Sequence, residues 1–293
     1  MREAGRGMIV YGSMDRPTLD AAYNNSAAVA DSDWYIADWQ RRSEALRARM
    51  PDHLDLVFGD APRARLDFFT SGSTDAATLL FFHGGYWQRN AKEGFSFIAE
   101  GPLAHGFHVV VAGYTLAPDA AMVNIVGQAR TALHWLHRHL ASLGGDPARL
   151  YISGWSAGGH LAAMLMDEAR VAGGLAVSGI FDLEPIRFSY LNDKLGLDAD
   201  QARCNSPLLN LPTRAAKLII AYGANELPEL KRQSREFGAA WSAHNLPVEM
   251  IEVADCHHYA ILEQLARPDG RLVKALAASA GVNPASSNNR TEV

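Results

Sequence analysis

The amino-acid sequence predicts an α/β fold in which a mostly parallel sheet of about eight strands is covered by helices on both faces. Two observations carry that expectation. Thr78–Phe82 is a continuous apolar run, as a strand buried on both faces requires, and Phe107–Ala112 and Lys217–Tyr222 read as further buried strands. From the third strand onward, such runs alternate with segments of helical composition, and no repeat or Pro- or Ser-rich linker divides the chain. One domain with a leader and an insertion is the simplest organisation.

At 293 residues the chain is long enough to bury a sizeable core. Hydrophobic residues make up 48% and charged residues 20%, a balance that fits neither a disordered nor a membrane-embedded chain. The formal charge of -5 comes without a basic stripe, so a nucleic-acid partner has no electrostatic footprint. Two cysteines, Cys204 and Cys256, are too few for a disulfide framework and fit a reducing compartment. Met1–Tyr11 has no apolar run suited to a signal peptide or a membrane span, so a cytoplasmic protein without a membrane partner is expected. Met8 is an alternative start, and a homodimer stays open.

In chain order, residues 1–50 read as a leader lying over the domain, with Tyr23, Trp34, Tyr35 and Trp39 as aromatic anchors and a helical stretch from Gln40 to Arg49. Pro51 ends it, and the domain proper runs over 51–281. Leu54–Phe58 and Arg65–Thr70 read as an antiparallel edge hairpin, and Thr78–Phe82 as the first fully buried strand. Glu93–His105 is a predicted helix, Phe107–Ala112 a strand, and Val123–Leu140 an amphipathic helix closed by Gly144–Pro147. Leu150–Ser153 is a strand, His160–Ala169 a helix, and Gly174–Ser178 and Lys217–Tyr222 further strands. Between these last two, residues 181–212 carry Pro185, Pro207 and Pro212, which break regular structure and suit a pocket-shaping insertion. Arg232–His244 is helical, Val248–Val253 is the last strand, and Tyr259–Gln264 opens the final helix. Residues 282–293 form a polar tail expected to be disordered.

The chemistry-bearing residues gather at the ends of those strands. Gly154-Trp155-Ser156-Ala157-Gly158 has the pattern Gly-x-Ser-x-Gly, whose glycines leave room for a strained strand-to-helix turn with an exposed serine hydroxyl. A plain glycine-rich turn has the same pattern, so the surroundings must decide. His83-Gly84-Gly85, Glu226 and His258 each follow a predicted strand as well, and sites in such sheets form at the carboxyl ends of strands. A serine hydroxyl needs a base within hydrogen-bond reach, and the base needs an acceptor that fixes its tautomer. Ser156, His258 and Glu226 supply these parts, in the chain order of the α/β-hydrolase topology.

Two alternatives accompany that set. His257 adjoins His258, so the two rings diverge and only one can face the serine. Asp255 lies too close in sequence to His258 to be the better acid. The N–H groups of Gly84, Gly85 and Ala157 are the candidate oxyanion donors, with His83 bracing their loop. A metal site from His134 and His137 lacks a completing carboxylate, so a solvated helix face is expected there, with no metal and no cofactor.

At these residues the chain resembles the kynurenine formamidase (arylformamidase) branch of the α/β-hydrolases. The matching motifs are His83-Gly-Gly-Tyr-Trp87, Gly113-Tyr-Thr-Leu-Ala-Pro118, Gly154-Trp-Ser-Ala-Gly-Gly159, Gly223–Ser234, His258-Tyr-Ala-Ile-Leu-Glu263 and Tyr23-Asn-Asn25. The resemblance runs from about Leu19 to Leu265. It implies a nucleophile at Ser156, a base at His258, an acid at Glu226, and a small-molecule substrate of the N-formyl arylamine class. Family members often carry Asp where Glu226 stands and His where Trp155 stands. The first difference keeps a carboxylate; the second sets an indole beside the nucleophile.

The combined expectation is a metal-independent serine hydrolase that removes a formyl group through an acyl-enzyme, with Tyr86, Trp87 and Trp155 as aromatic walls for the substrate ring. A carboxylesterase or an amidase for another small acyl group is the alternative, followed by a non-catalytic ligand-binding member of the fold. A metal-dependent hydrolase using the helix histidines comes last.

Overall fold

A computed structural model describes residues 8–282, so residues 1–7 and the predicted tail beyond Val282 lie outside the described residues. Eight strands form one sheet: β1 (Leu56–Val57), β2 (Arg65–Phe69), β3 (Ala76–Phe82), β4 (His108–Ala112), β5 (Gly145–Trp155), β6 (Gly173–Val177), β7 (Leu218–Gly223) and β8 (Val248–Val253). Their spatial order is β1-β2-β4-β3-β5-β6-β7-β8. The β1–β2 and β2–β4 pairs are antiparallel and every other pair is parallel.

The period-2 geometry of the strands explains why their apolar runs are unbroken. Leu80, Phe82, Val110, Ala112 and Ile152 point to one face and pack under helices Met122–His139, Ala157–Met164 and Pro228–Ala243. Leu79, Phe81, Val109 and Val111 point to the other, under the leader helix Ser32–Arg49 and the C-terminal helices. Among the described residues, no helix is long and apolar enough to cross a membrane.

Several boundaries differ from the expected ones, each for a local reason. The segment after the His83 loop is a 3-10 helix, Lys92–Ala99, followed by a short α-helix, Glu100–Ala104. Phe95 to Ala99 are all buried, so no exposed face remains for an amphipathic α-helix. Strand β5 begins at Gly145 because that residue already pairs with Ala76, across an irregularity before Thr78. The expected final helix is two, Ala260–Ala266 and Arg271–Ser279, interrupted around Pro268. Residues 181–212 hold short helices at Glu184–Arg187, Asn192–Leu195 and Ala199–Cys204.

The leader is longer in structure than its helical stretch suggests. A two-stranded ribbon, Ile9–Tyr11 with Met14–Asp15, precedes helices Arg16–Ala22 and Asn25–Ala28, and the long helix begins at Ser32. Trp39 is buried, stacks on Phe97 at 5.0 Å and donates from Nε1 to Glu263 Oε1 at 2.7 Å. Arg42 reaches the same carboxylate at 2.9 Å. A buried ion cluster adds a second anchor: Lys92 Nζ lies 2.7 Å from both Asp67 Oδ1 and Asp55 Oδ1, and Arg47 pairs with the other Asp67 oxygen. Lys92 and Asp67 are almost wholly out of water, so each holds the other in place.

Candidate active site

Strand β5 delivers Trp155 to a turn in which Ser156 has φ 57° and ψ -117°, a conformation that L-residues other than glycine adopt only under constraint. The Ser156 N–H donates to the Val177 carbonyl at 2.8 Å, and helix Ala157–Met164 starts at once, three residues before its expected start at His160. The neighbouring glycines are required by close approach. A Cβ on Gly158 would run into the Phe82 carbonyl oxygen, and one on Gly154 into the Gly158 carbonyl oxygen. The helix can therefore press directly onto β3 and β5. Ser156 is only 2% exposed, yet it lines a cavity of about 220 Å³ together with Gly85, Tyr86, Trp155 and His258.

Glu226 follows β7 and His258 follows β8. His258 Nδ1 lies 3.0 Å from Glu226 Oε2, with both side chains buried. The other carboxylate oxygen, Oε1, accepts the Gly223 N–H at 2.7 Å and the Ser178 hydroxyl at 2.5 Å. With its Nδ1 hydrogen directed at Glu226, His258 presents Nε2 as the free acceptor. Trp155 secures the same ring: its indole N–H donates to the His258 carbonyl at 2.8 Å, and the two rings lie 4.9 Å apart. The alternatives separate by direction. His257 turns to the Tyr35 ring at 5.2 Å, and its Nδ1 accepts the N–H groups of Tyr259 and Ala260 at the start of a helix.

The loop after β3 is built around His83, which is wholly buried between Tyr114 at 4.4 Å and Phe95 at 5.6 Å. Its Nδ1 lies 2.8 Å from the Gly84 carbonyl, which also accepts from Asn90 Nδ2 at 3.1 Å. Gly84 lies against the Trp155 ring, where a Cβ would sit 2.5 Å from a ring carbon. Gly85 has φ 118°, and its Cβ would sit 2.5 Å from the Arg89 carbonyl oxygen. Among the described residues, the Gly84 and Gly85 N–H groups have no partner, and Ala157, first in its helix, has no intrahelical acceptor.

Of the three expected aromatic walls, Tyr86 and Trp155 face the cavity and Trp87 does not. Trp87 is fully buried, with its ring edge-on to His160 at 4.9 Å. The reason is backbone direction: Tyr86 and Trp87 have φ 51° and 59°, so the chain coils left-handed and turns the second ring inward. Tyr259 also lines the cavity. The 181–212 insertion likewise contributes no cavity-facing residue. It braces the loop from behind, where the Leu191 carbonyl accepts from Gln88 Nε2 at 2.7 Å and the Asn205 carbonyl accepts from His160 Nε2 at 2.7 Å.

The leader supplies cavity residues that sequence reasoning missed. Asn25 donates from Nδ2 to the Tyr86 hydroxyl at 3.0 Å, which in turn donates to the Tyr23 carbonyl at 2.7 Å. Asp33 and Ile36 of the long helix also face the cavity, as do Arg89 and Asn90 of the glycine loop. The Tyr23-Asn-Asn25 motif was the available signal for Asn25, and the position of Ser178 at a strand end was the signal for that hydroxyl. Away from the site, His134 lies 3.0 Å from Glu168, and no group of three or more metal-ligating side chains occurs among the described residues.

Burial holds both His83 and His160 neutral, pushing each imidazole down from its ordinary value to about 4. Between pH 6.5 and 4 the unfolded chain therefore binds more protons at these positions than the folded one, and stability falls as pH falls. Each histidine contributes a slope of about 1.4 kcal/mol per pH unit in that window. Unfolding midpoints measured from pH 7 to pH 5 are expected to drop steadily, above the range where carboxylates titrate. A flat profile contradicts the assignment of neutral, buried rings.

Residues 79–212 match a family model described as an alpha/beta hydrolase fold. Over 257 residues the chain is 32% identical to the kynurenine formamidase of Danio rerio, covering 83% of this chain and 86% of that protein. A carboxylesterase of Mycobacterium tuberculosis is 32% identical over 97 residues, which is 33% of this chain and 30% of the esterase. Among solved structures, one described as a candidate thioesterase from Silicibacter sp. TM1040 superposes with a TM-score of 0.79 at 29% identity, covering 87% of this chain and 97% of that one.

Proposed function

Because this chain belongs to the kynurenine formamidase family of α/β-hydrolases, we propose that it hydrolyses the N-formyl group of an arylamine such as N-formylkynurenine, using Ser156, His258 and Glu226 as a triad. At the coarser level the chain is a serine hydrolase of esterase or formamidase type that acts on small acyl substrates.

In the proposed reaction, the Ser156 hydroxyl oxygen attacks the formyl carbon while His258 Nε2 takes its proton. Glu226 holds the ring by Nδ1 and stabilises the imidazolium that forms. The carbonyl electron pair moves onto oxygen, where the N–H groups of Gly84, Gly85 and Ala157 are the available donors. The C–N bond then breaks, and the imidazolium gives its proton to the departing arylamine nitrogen. Water, deprotonated by His258, attacks the formyl-serine, and formate leaves as Ser156 regains its proton.

The observation that carries this reading is the 3.0 Å His258–Glu226 contact on the wall of the cavity that Ser156 also lines. Its volume of about 220 Å³ lies below the ~300–1,000 Å³ of drug-sized sites, which suits a single-ring substrate. Tyr86, Trp155 and Tyr259 are the aromatic surfaces against such a ring.

The resemblance to a carboxylesterase supports a second reading, cleavage of short aryl esters by the same groups. Specificity constants for N-formyl, N-acetyl and ester derivatives of one aromatic leaving group separate the two. The formamidase reading expects the N-formyl compound to be the best amide and to match or exceed the esters. A strong preference for esters, with negligible formamide turnover, overturns it.

A further inference from the structure

The catalytic cavity is lined by one basic and one acidic side chain of fixed charge, Arg89 and Asp33. Among the described residues, neither side chain makes an ion pair or a side-chain hydrogen bond, whereas arginines such as Arg16, Arg42, Arg130, Arg187 and Arg232 hold a carboxylate. Both exposed head groups stand on fixed backbone. The Arg89 N–H donates to the Gly85 carbonyl at 3.0 Å within the glycine loop, and Asp33 lies in the first turn of the helix pinned by Trp39 and Arg42. The two charges come from different elements, the loop and the leader, and remain unpaired in one cavity. Such a mouth complements a ligand that is itself zwitterionic better than one that is neutral or carries a single charge.

We propose that Arg89 and Asp33 select substrates bearing an α-amino-acid head group, Arg89 receiving the carboxylate and Asp33 the ammonium. This rests on the formamidase reading above and names the part of the substrate that lies away from the scissile bond. A guanidinium presents two parallel N–H donors to a carboxylate, which fixes orientation as well as charge. Binding the remote head group would hold the formyl carbon beside Ser156, so neutral formanilides lose that positioning. A phosphate-bearing ligand fits less well, because Asp33 repels its second charge.

The test compares N-formylkynurenine with N-formyl-2-aminoacetophenone, which keeps the formanilide and the ketone but lacks the amino-acid head. The wild-type enzyme is expected to prefer the first in kcat/KM. Arg89→Met should lower kcat/KM for N-formylkynurenine about three- to tenfold, chiefly by raising KM, and lower that for the neutral formanilide by clearly less. Arg89→Lys should restore part of the loss, and Asp33→Asn should show a smaller loss of the same selectivity. Both positions are exposed, so thermal unfolding of the variants should match the wild type. Equal losses on both substrates, or no loss on either, overturn the proposal while leaving the formamidase reading standing. A wild-type enzyme that turns over aryl esters but neither formamide overturns the formamidase reading and this proposal together.

Discussion

Ser156→Ala is expected to lower kcat by about 10⁴- to 10⁶-fold and to leave the fold unchanged. The fold should survive because the interactions that set the turn are made by the backbone: the Ser156 N–H bonds the Val177 carbonyl, and the glycines at 154 and 158 let the helix meet β3. Among the described residues the Ser156 hydroxyl makes no hydrogen bond, and alanine meets the same backbone strain as serine at φ 57°. The residual rate would come from the N–H donors and from substrate positioning, which the substitution leaves in place. Steady-state kinetics alongside a thermal melt check both halves. Near wild-type turnover in a folded Ser156→Ala protein would remove the nucleophile assignment.

Glu226→Gln should be nearly as damaging, with kcat down by about 10³- to 10⁴-fold, and the reason lies in the direction of hydrogens. The Oε1 position receives two donors, the Ser178 hydroxyl and the Gly223 N–H, so the amide oxygen of a glutamine must take that place. Its NH₂ group then faces His258 Nδ1, which has to become an acceptor. The ring proton moves to Nε2 and points towards the serine, where an acceptor is needed. The wrong tautomer is thus enforced with the packing nearly unchanged. Glu226→Asp keeps the charge but shortens the reach, and should retain more activity than Glu226→Gln. Equal activity of Glu226→Gln and wild type would mean that His258 is oriented by something other than this carboxylate.

The parallel core and the turn at Ser156 were legible because each rests on local, one-dimensional signals. The apolar runs at 79–82 and 109–112 suit burial on both faces, and both lie in strands in the central part of the sheet. Ser156, Glu226 and His258 were legible by a different route, since each comes directly after a strand and parallel strands bring those ends to one edge. Adjacency meant that only one of His257 and His258 could face the serine, the family resemblance pointed to His258, and the structure pairs His258 with the carboxylate.

What could not be read depended on directions fixed by distant contacts. Trp87 looked like Tyr86 in the sequence, but two successive positive φ values turn one ring into the cavity and the other into the core. The indole at 155 read as an aromatic wall beside Ser156. In the structure its N–H holds the His258 carbonyl and its face covers Gly84, so it props His258 and the glycine loop at once. The insertion at 181–212 had the proline content of a pocket wall, yet the leader supplies the wall and the insertion supports the loop behind it. No periodicity marks Asn25 or Asp33 as cavity residues, because Asn25 is held there by the Tyr86 hydroxyl and Asp33 by the docking of the long helix through Trp39 onto Phe97.

The most direct test of the central claim, that Ser156 is an activated nucleophile served by His258 and Glu226, is covalent labelling by a fluorophosphonate followed by peptide mapping. The expected result is a single phosphonylated site at Ser156, formed rapidly in the wild type, much more slowly in Glu226→Gln, and not at all in Ser156→Ala. Absence of labelling in an enzyme that still hydrolyses its substrate, or labelling at another residue, would contradict it.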